Sequence, residues 1–309
     1  MFHNGLHVQV KTKSSSSRMI FHQAWLFFSC SSNFEFLTNS AEEMFVDRTF
    51  RFCPNFLYVL YTIHGFRNGH FVPLVFALFS GKSRRVYRNM WNSLKAACTE
   101  RNFMLQPKLI HVDFELTMHT VLNDVFPVVS LKCCRLHLGQ AWYRKMQNLC
   151  LSQDYQDSDS EVGKWLKQSC GLHFFDPTEV EDCFVEDYMA SAPQDEWCIK
   201  YADYLVENYV TTDSRYPPTL WSEVPSDCKR TNNAAESCHS HFNAQFYSAH
   251  PSIFVLMDVI QKLQSVTYVK ILSSTQPAMS RKSERDRTDY AIAQFSKYSA
   301  GRDYQTGLH

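Results

Sequence analysis

From about residue 43 the chain alternates short apolar runs with turn signals. Glu43–Phe50, Phe56–His64 (FLYVLYTIH) and Phe71–Phe79 (FVPLVFALF) are rich in Val, Leu, Phe and Tyr, and Gly65 and Arg67-Asn68-Gly69 stand between them. Each run reads as a strand, and three strands with short links read as an antiparallel meander. The period then changes. Over 84–102, Val86, Met90, Leu94 and Ala97 recur at the spacing of one helical face. Leu109–Asp113, after Pro107, reads as a short buried strand, Leu116–Phe126 as a helix and Val128–Leu131 as a further strand. That order predicts an α/β sheet with helical cover. Beyond about 134 the pattern is nearly all helical. Asp176-Pro177-Thr178-Glu179 has the composition of a helix start, with Asp at the N-cap, Pro at N1 and Glu at N3. Pro251 opens another helix, with Ile253, Leu256, Met257, Ile260 and Leu263 on one face. The acidic stretch Asp154–Glu161 reads as a solvated turn, and no internal repeat is visible.

These patterns divide the chain into five segments. Residues 1–40 form a poorly ordered or partial N-terminal segment, 41–150 the first part of an α/β core, and 151–229 a helical insertion. Residues 230–275 supply helices that complete the core, and 276–309 a polar, basic tail. A length of 309 residues suits one large domain or two ordinary ones, and 45% hydrophobic content supplies a packed core. Net charge is zero, so a nucleic-acid partner has to be held by local basic clusters. Candidates are Lys82 with Arg84, Arg85 and Arg88, then Arg144-Lys145, Lys229-Arg230 and Arg281–Arg287; each reads more readily as an ordinary solvated face. The 11 cysteines are odd in number and scattered, as expected of free thiols in a reducing compartment. The apolar run Ala24–Cys30 is too short to span a bilayer, His22 and Gln23 interrupt it, and no cleavage site follows. No membrane association is expected.

Two acids stand out against this frame. Asp47 falls in the middle of the first strand (FVDRTF) and Asp113 at the carboxyl end of the fourth (LIHVDFE). In a sheet of this order the first strand is central and the fourth lies parallel beside it, so the two acids fall on neighbouring strands. Side by side they repel unless a divalent ion sits between them. A helix from the far segment RTNNAAESCHSHFN (230–243) can bring a third carboxylate, Glu236, and oxygen-only ligation suits Mg²⁺ or Mn²⁺. The structural alternatives are a turn acid at Asp47, a helix cap at Asp113 with Glu115 in the first turn, and a surface helix acid at Glu236.

Four segments, FVDRTFRFCPNFLYVLYTIHG (45–65), HVDFELTMHTVLNDVFP (111–127), CRLHLGQAWYRK (134–145) and RTNNAAESCHSHFN (230–243), resemble in content and order the transposase domain of Mutator-like elements. This is a DDE transposase family with a ribonuclease-H-like fold, and the resemblance runs from about 40 to 275. It implies a mixed sheet, three antiparallel strands followed by parallel ones, with a large all-helical insertion before the third acid. It maps the catalytic Asp-Asp-Glu triad onto Asp47, Asp113 and Glu236, with Asp47 bridging two Mg²⁺ or Mn²⁺ ions. The implied activity is two-metal phosphodiester hydrolysis and strand transfer at transposon ends. The implied partner is double-stranded DNA, as transposon end and as target, with a homodimer pairing two ends and the nucleus as compartment. The runner-up is a catalytically inactive, transposase-derived DNA-binding or protein-binding module.

Cys134-Arg-Leu-His137 has the i, i+3 spacing of two ligands on one helical face, so Cys134 and His137, with His239 and His241 as partners, form a candidate zinc set. The alternative is buried cysteine and satisfied core histidine. The chain departs from the family in three of its motifs. Arg48 stands where glycine usually follows the first Asp, Cys133 where glycine precedes Cys134, and Cys238 where an aromatic is common. On a strand Arg48 is expected to face away from Asp47 and to leave the site open. These departures, with no accompanying zinc-finger segment, imply a drifted or truncated copy.

Overall fold

The structure, a computed structural model, describes the backbone of residues 7–11, residues 25–49, 52–224 and 244–278, and a few positions between 286 and 297. Two compact units divide the chain. One comprises Met1–Leu131 with Asn233–Met279, the other Lys132–Asn232 with Ser280–His309.

The first unit is built on strands β1 (His7–Lys11), β2 (Trp25–Ser29), β3 (Glu43–Thr49), β4 (Val59–Arg67), β5 (His70–Phe79) and β6 (Leu109–Val112). With β7 (Ser130–Cys133), where the first unit ends, they form one mixed sheet in the order β1-β2-β5-β4-β3-β6-β7. β3, β4 and β5 are the antiparallel meander that the sequence predicts, and β3 pairs in parallel with β6. Asn68 and Gly69 both have positive φ (51° and 81°). They make the two-residue turn whose twist matches a hairpin, with Arg67 and His70 paired across it.

Three boundaries differ from the sequence expectation. Gly65, expected as a turn, lies inside β4. A Cβ there would stand 2.8 Å from Leu74 Cδ1 and 3.0 Å from Phe36 Cε1, so the glycine permits close packing rather than ending the strand. Phe56–Tyr58, expected in the strand, belong to a turn closed by Leu57 N–H donating to Pro54 O. Ordered structure also begins ahead of residue 41. The run Trp25–Ser29 is a strand paired with β5, and a helical stretch through Ser31–Glu35 (α1) and Phe36–Ser40 follows. Trp25, Phe27 and Phe28 are buried; the run that was too short for a membrane is a core strand.

Helices cover both faces of the sheet. Alternation along β4 sends Leu60 to one side and Tyr61 to the other. Leu60, Phe28, Phe76 and Leu78 pack against Leu256, Val259, Ile260 and Leu263. The last four belong to a long helix, Ile253–Ser273, whose start is capped by Ser252. Asn33 and Gln264 tie it to α1 through reciprocal amide hydrogen bonds of 3.0 and 2.9 Å. On the other face Tyr61 and Phe79 meet Tyr87 edge-on. Tyr87 sits on α2 (Arg84–Thr99), which buries Val86, Met90, Leu94 and Ala97 as expected. α3 (Leu116–Val125) packs beside α2, where Trp91 Nε1 donates to Met118 Sδ.

The second unit is helical among its described residues: α4 (Arg135–Asn148), α5 (Ser152–Gln156), α6 (Glu161–Ser169), α7 (Val180–Cys183) and α8 (Glu196–Leu205). The long helix of the first unit is α9. Trp142 packs edge-on against Tyr209 and Trp221, and Trp165 stacks on Tyr188. Asp176 does not cap α7. Its Oδ1 accepts from Thr178 N–H and from the Thr178 hydroxyl, closing a turn, and the helix starts at Val180. No helix of the described residues is long and apolar enough to cross a membrane.

α9 arrives from far along the chain, so its contacts with the sheet test the first unit as a whole. Ile260→Ala is expected to cost about 2–5 kcal/mol, and Val266→Ala, on the exposed face of the same helix, less than about 0.5 kcal/mol. Urea denaturation followed by circular dichroism measures both.

Candidate metal centre

β3 and β6 run side by side in the same direction, paired through Met44–Ile110 and Phe45–His111. Asp47 is half-buried on β3, and Asp113 is buried immediately after β6. Parallel pairing therefore brings both acids to the same end of the sheet. A carboxylate oxygen of Asp47 lies within 4.8 Å of one of Asp113. Two carboxylates this close, one of them buried, repel strongly unless a positive charge stands with them.

The positive charge beside them is Arg48. Alternation turns its side chain off the face of Asp47, as expected, and onto the face of its cross-strand partner Tyr61. It does not leave the site open, because Asp113 and Glu115 approach on that face. Arg48 Nε lies 2.5 Å from Asp113 Oδ2 and Nη1 lies 2.6 Å from Glu115 Oε2. The Arg48 backbone N–H donates to Asp47 Oδ1 at 2.7 Å. Burial pulls the Arg48 guanidinium toward a lower pKa, but Asp113, Tyr61 and Glu115 outweigh it and the net shift is upward. The fork therefore stays charged.

Glu115 holds this arrangement from below. It occupies the N-cap position of α3 without capping it. Its Oε2 accepts from Tyr61 OH at 2.6 Å and its Oε1 from Tyr87 OH at 2.9 Å. Burial pushes both phenols up and Glu115 adds to it, while the hydrogen bond with Tyr61 pulls Tyr87 the other way; both remain donors. The cap reading of Asp113 does not hold either. Its carboxylate meets Arg48, and its backbone carbonyl takes Glu115 N–H and His119 Nε2, the latter at 2.6 Å. On the face of Asp47, His111 stacks on Phe45 with centroids 4.0 Å apart and meets Glu43 Oε2 at 2.7 Å.

Glu236, His239 and His241 lie outside the described residues. Cys134 and His137 belong to the second unit. Cys134 is the N-cap residue of α4, with extended backbone, so only His137 stands on the helix itself. Among the described residues no cluster of three metal-ligand side chains includes Cys134. The free-thiol reading of the cysteines agrees with every cysteine among the described residues.

The donor set of Asp47 and Asp113 is hard oxygen at sharing distance, which fits a divalent cation of the Mg²⁺ type. The fit is qualified by one contact, since Asp113 Oδ2 already faces a guanidinium.

Residues 43–141 match the family model of the MULE transposase domain. Over this segment the chain is similar to that family. The match spans about a third of the chain, from β3 into α4, and takes in both Asp47 and Asp113. No curated protein matches the chain. Within the MULE segment both acids were legible as carboxylates on neighbouring strands, Asp47 in the middle of the first and Asp113 at the end of the fourth. The clamp of Arg48 by Glu115, Tyr61 and Tyr87 was not. The available signal was a cationic side chain in a strand bound for burial, which demands anionic partners.

Two predictions test this network. Tyr61→Phe removes a hydrogen bond to a charged acceptor and is expected to cost about 1.5–3 kcal/mol in denaturant unfolding. His119 carries the pH dependence. Burial lowers its pKa from 6.5, against the opposing effect of the Asp113 carbonyl hydrogen bond. The unfolded chain therefore takes the proton first as pH falls. The stability His119 contributes is complete above the unfolded value and is lost as pH drops toward the lowered folded one. The urea midpoint is expected to fall between about pH 7.5 and pH 5.5, and to fall less in His119→Asn.

Proposed function

We propose that the first unit is the ribonuclease-H-like catalytic core of a DDE-type DNA transposase. In this reading Asp47, Asp113 and Glu236 hold divalent cations, Mg²⁺ or Mn²⁺, for phosphodiester hydrolysis and strand transfer at transposon ends. The observation that carries the reading is the meeting of Asp47, on β3, and Asp113, just past the parallel neighbour β6, within 4.8 Å, inside the segment that matches the MULE transposase domain. The mixed sheet, with its antiparallel meander and a parallel neighbour for β3, supports the fold assignment.

When bound, the cations supply Lewis acidity toward the scissile phosphate and lower the pKa of the attacking water or 3′-hydroxyl. The chain supplies the rest. Asp47, on a strand with neighbours on both sides, fixes one carboxylate in the sheet. His119 fixes the backbone at Asp113 through the carbonyl. The partner is double-stranded DNA, and that substrate implies a nuclear protein that works as a dimer when two ends are paired.

A second reading has its own observation. The Arg48–Asp113 ion pair engages one of the acids, which favours a transposase-derived binding module without catalysis. Nicking of a supercoiled plasmid with Mn²⁺ separates the two. Nicking by the parent that falls to background in Asp47→Asn, Asp113→Asn and Glu236→Gln supports the transposase. Equal nicking by parent and variants, or none by the parent, supports the module.

A further inference from the structure

We infer that Arg48 is a built-in counter-cation of the acid pair, competing with divalent metal for Asp113, so that metal occupancy requires its guanidinium to let go. The inference rests on the reading of Asp47 and Asp113 as metal ligands and adds to it what controls their loading.

Residue 48 touches all three acids of the cluster. Its backbone N–H reaches Asp47 Oδ1, its Nε reaches Asp113 Oδ2 and its Nη1 reaches Glu115 Oε2. The side chains are largely withdrawn from water, at 23% exposure for Arg48, 6% for Asp113 and 12% for Glu115. Nη1 donates an oriented, charge-assisted hydrogen bond to Glu115, and Nε stands in close ion-pair contact with Asp113. One positive charge against three carboxylates leaves the cluster anionic and still attractive to a divalent cation. A metal on Asp113 would nevertheless stand beside the guanidinium, where like charges repel at short range in a medium that screens poorly.

The latch is asymmetric. Glu115 is independently held by Tyr61 and Tyr87, so it stays in position to retain Nη1 while Nε leaves Asp113. The guanidinium thus has a second anchor to swing on, and its release from Asp113 does not leave it unpaired. No such device is available to a glycine or alanine at this position, where the acids could be neutralised only from outside.

Calorimetric titration of the full chain with Mn²⁺ tests this, comparing parent, Arg48→Ala and Arg48→Lys, with a thermal melt of each protein with and without metal. Arg48→Ala is expected to bind Mn²⁺ about tenfold tighter or more. It is also expected to melt lower than the parent without metal and to gain more from Mn²⁺. Arg48→Lys keeps the charge and is expected to stay within a few-fold of the parent. If Arg48→Ala is unfolded without metal, Mn²⁺ is expected to restore its circular dichroism spectrum. Equal or weaker binding by Arg48→Ala, tightening by Arg48→Lys as great as by Arg48→Ala, or no recovery of an unfolded Arg48→Ala with Mn²⁺ overturns the inference. Asp47→Asn in the parent and in the Arg48→Ala background separates the two levels. Binding that survives it means the metal sits elsewhere, and the metal-ligand reading itself fails. Binding that is lost with it, but is equal in parent and Arg48→Ala, overturns the latch alone.

Discussion

The ion pair between Arg48 and the carboxylates of Asp113 and Glu115 is the interaction on which the charged end of the sheet depends. Parallel pairing of β3 with β6 forces Asp47 and Asp113 together, and Glu115 follows two residues later. Three carboxylates in so small a space, two of them nearly buried, repel one another unless a cation stands among them. Arg48 supplies one from within the chain. Removing one member of such a network exposes the charge that its partner had balanced, which costs far more than the pair contributes.

The same geometry decides how the site can work. Asp47 and Arg48 are neighbours in sequence and point to opposite faces. Asp113, lying just past the end of β6, is reached from both. In the proposed reading it is therefore the carboxylate for which Arg48 and a divalent cation would compete. Tyr61 and Tyr87 sharpen this by fixing Glu115, which keeps the arginine near Asp113. The hydrophobic scaffold beneath is ordinary by comparison. α2 and α3 cover one face, α9 the other, and the antiparallel pairing of β3 with β4 sets Arg48 opposite Tyr61.

Much of this was written in local sequence. The three strands of the meander, the helix of Val86, Met90, Leu94 and Ala97, and the long helix of Leu256, Ile260 and Leu263 follow from apolar period alone. Asp47 and Asp113 were legible because acids in buried strands are costly and call for an explanation. The misses share a cause: they depend on what is near in space. Gly65 reads as a turn until Leu74 and Phe36 are found against it. Trp25–Ser29 reads as an isolated apolar run until β5 is found beside it. Asp176 has a helix-cap composition, but its side chain is taken up by the turn at Thr178. Arg48 was correctly sent to the far face, yet nothing local says that Asp113 and Glu115 wait there.

The central claim is that Asp47 and Asp113 share a divalent cation, and that Arg48 leaves Asp113 when they do. Anomalous diffraction at the manganese edge, from crystals of the full chain grown with Mn²⁺, tests it most directly. The account predicts an anomalous peak between the two carboxylates, with the guanidinium withdrawn from Asp113 and still on Glu115. A peak elsewhere, no peak at all, or a metal on Asp113 with the Arg48 Nε contact intact would contradict it.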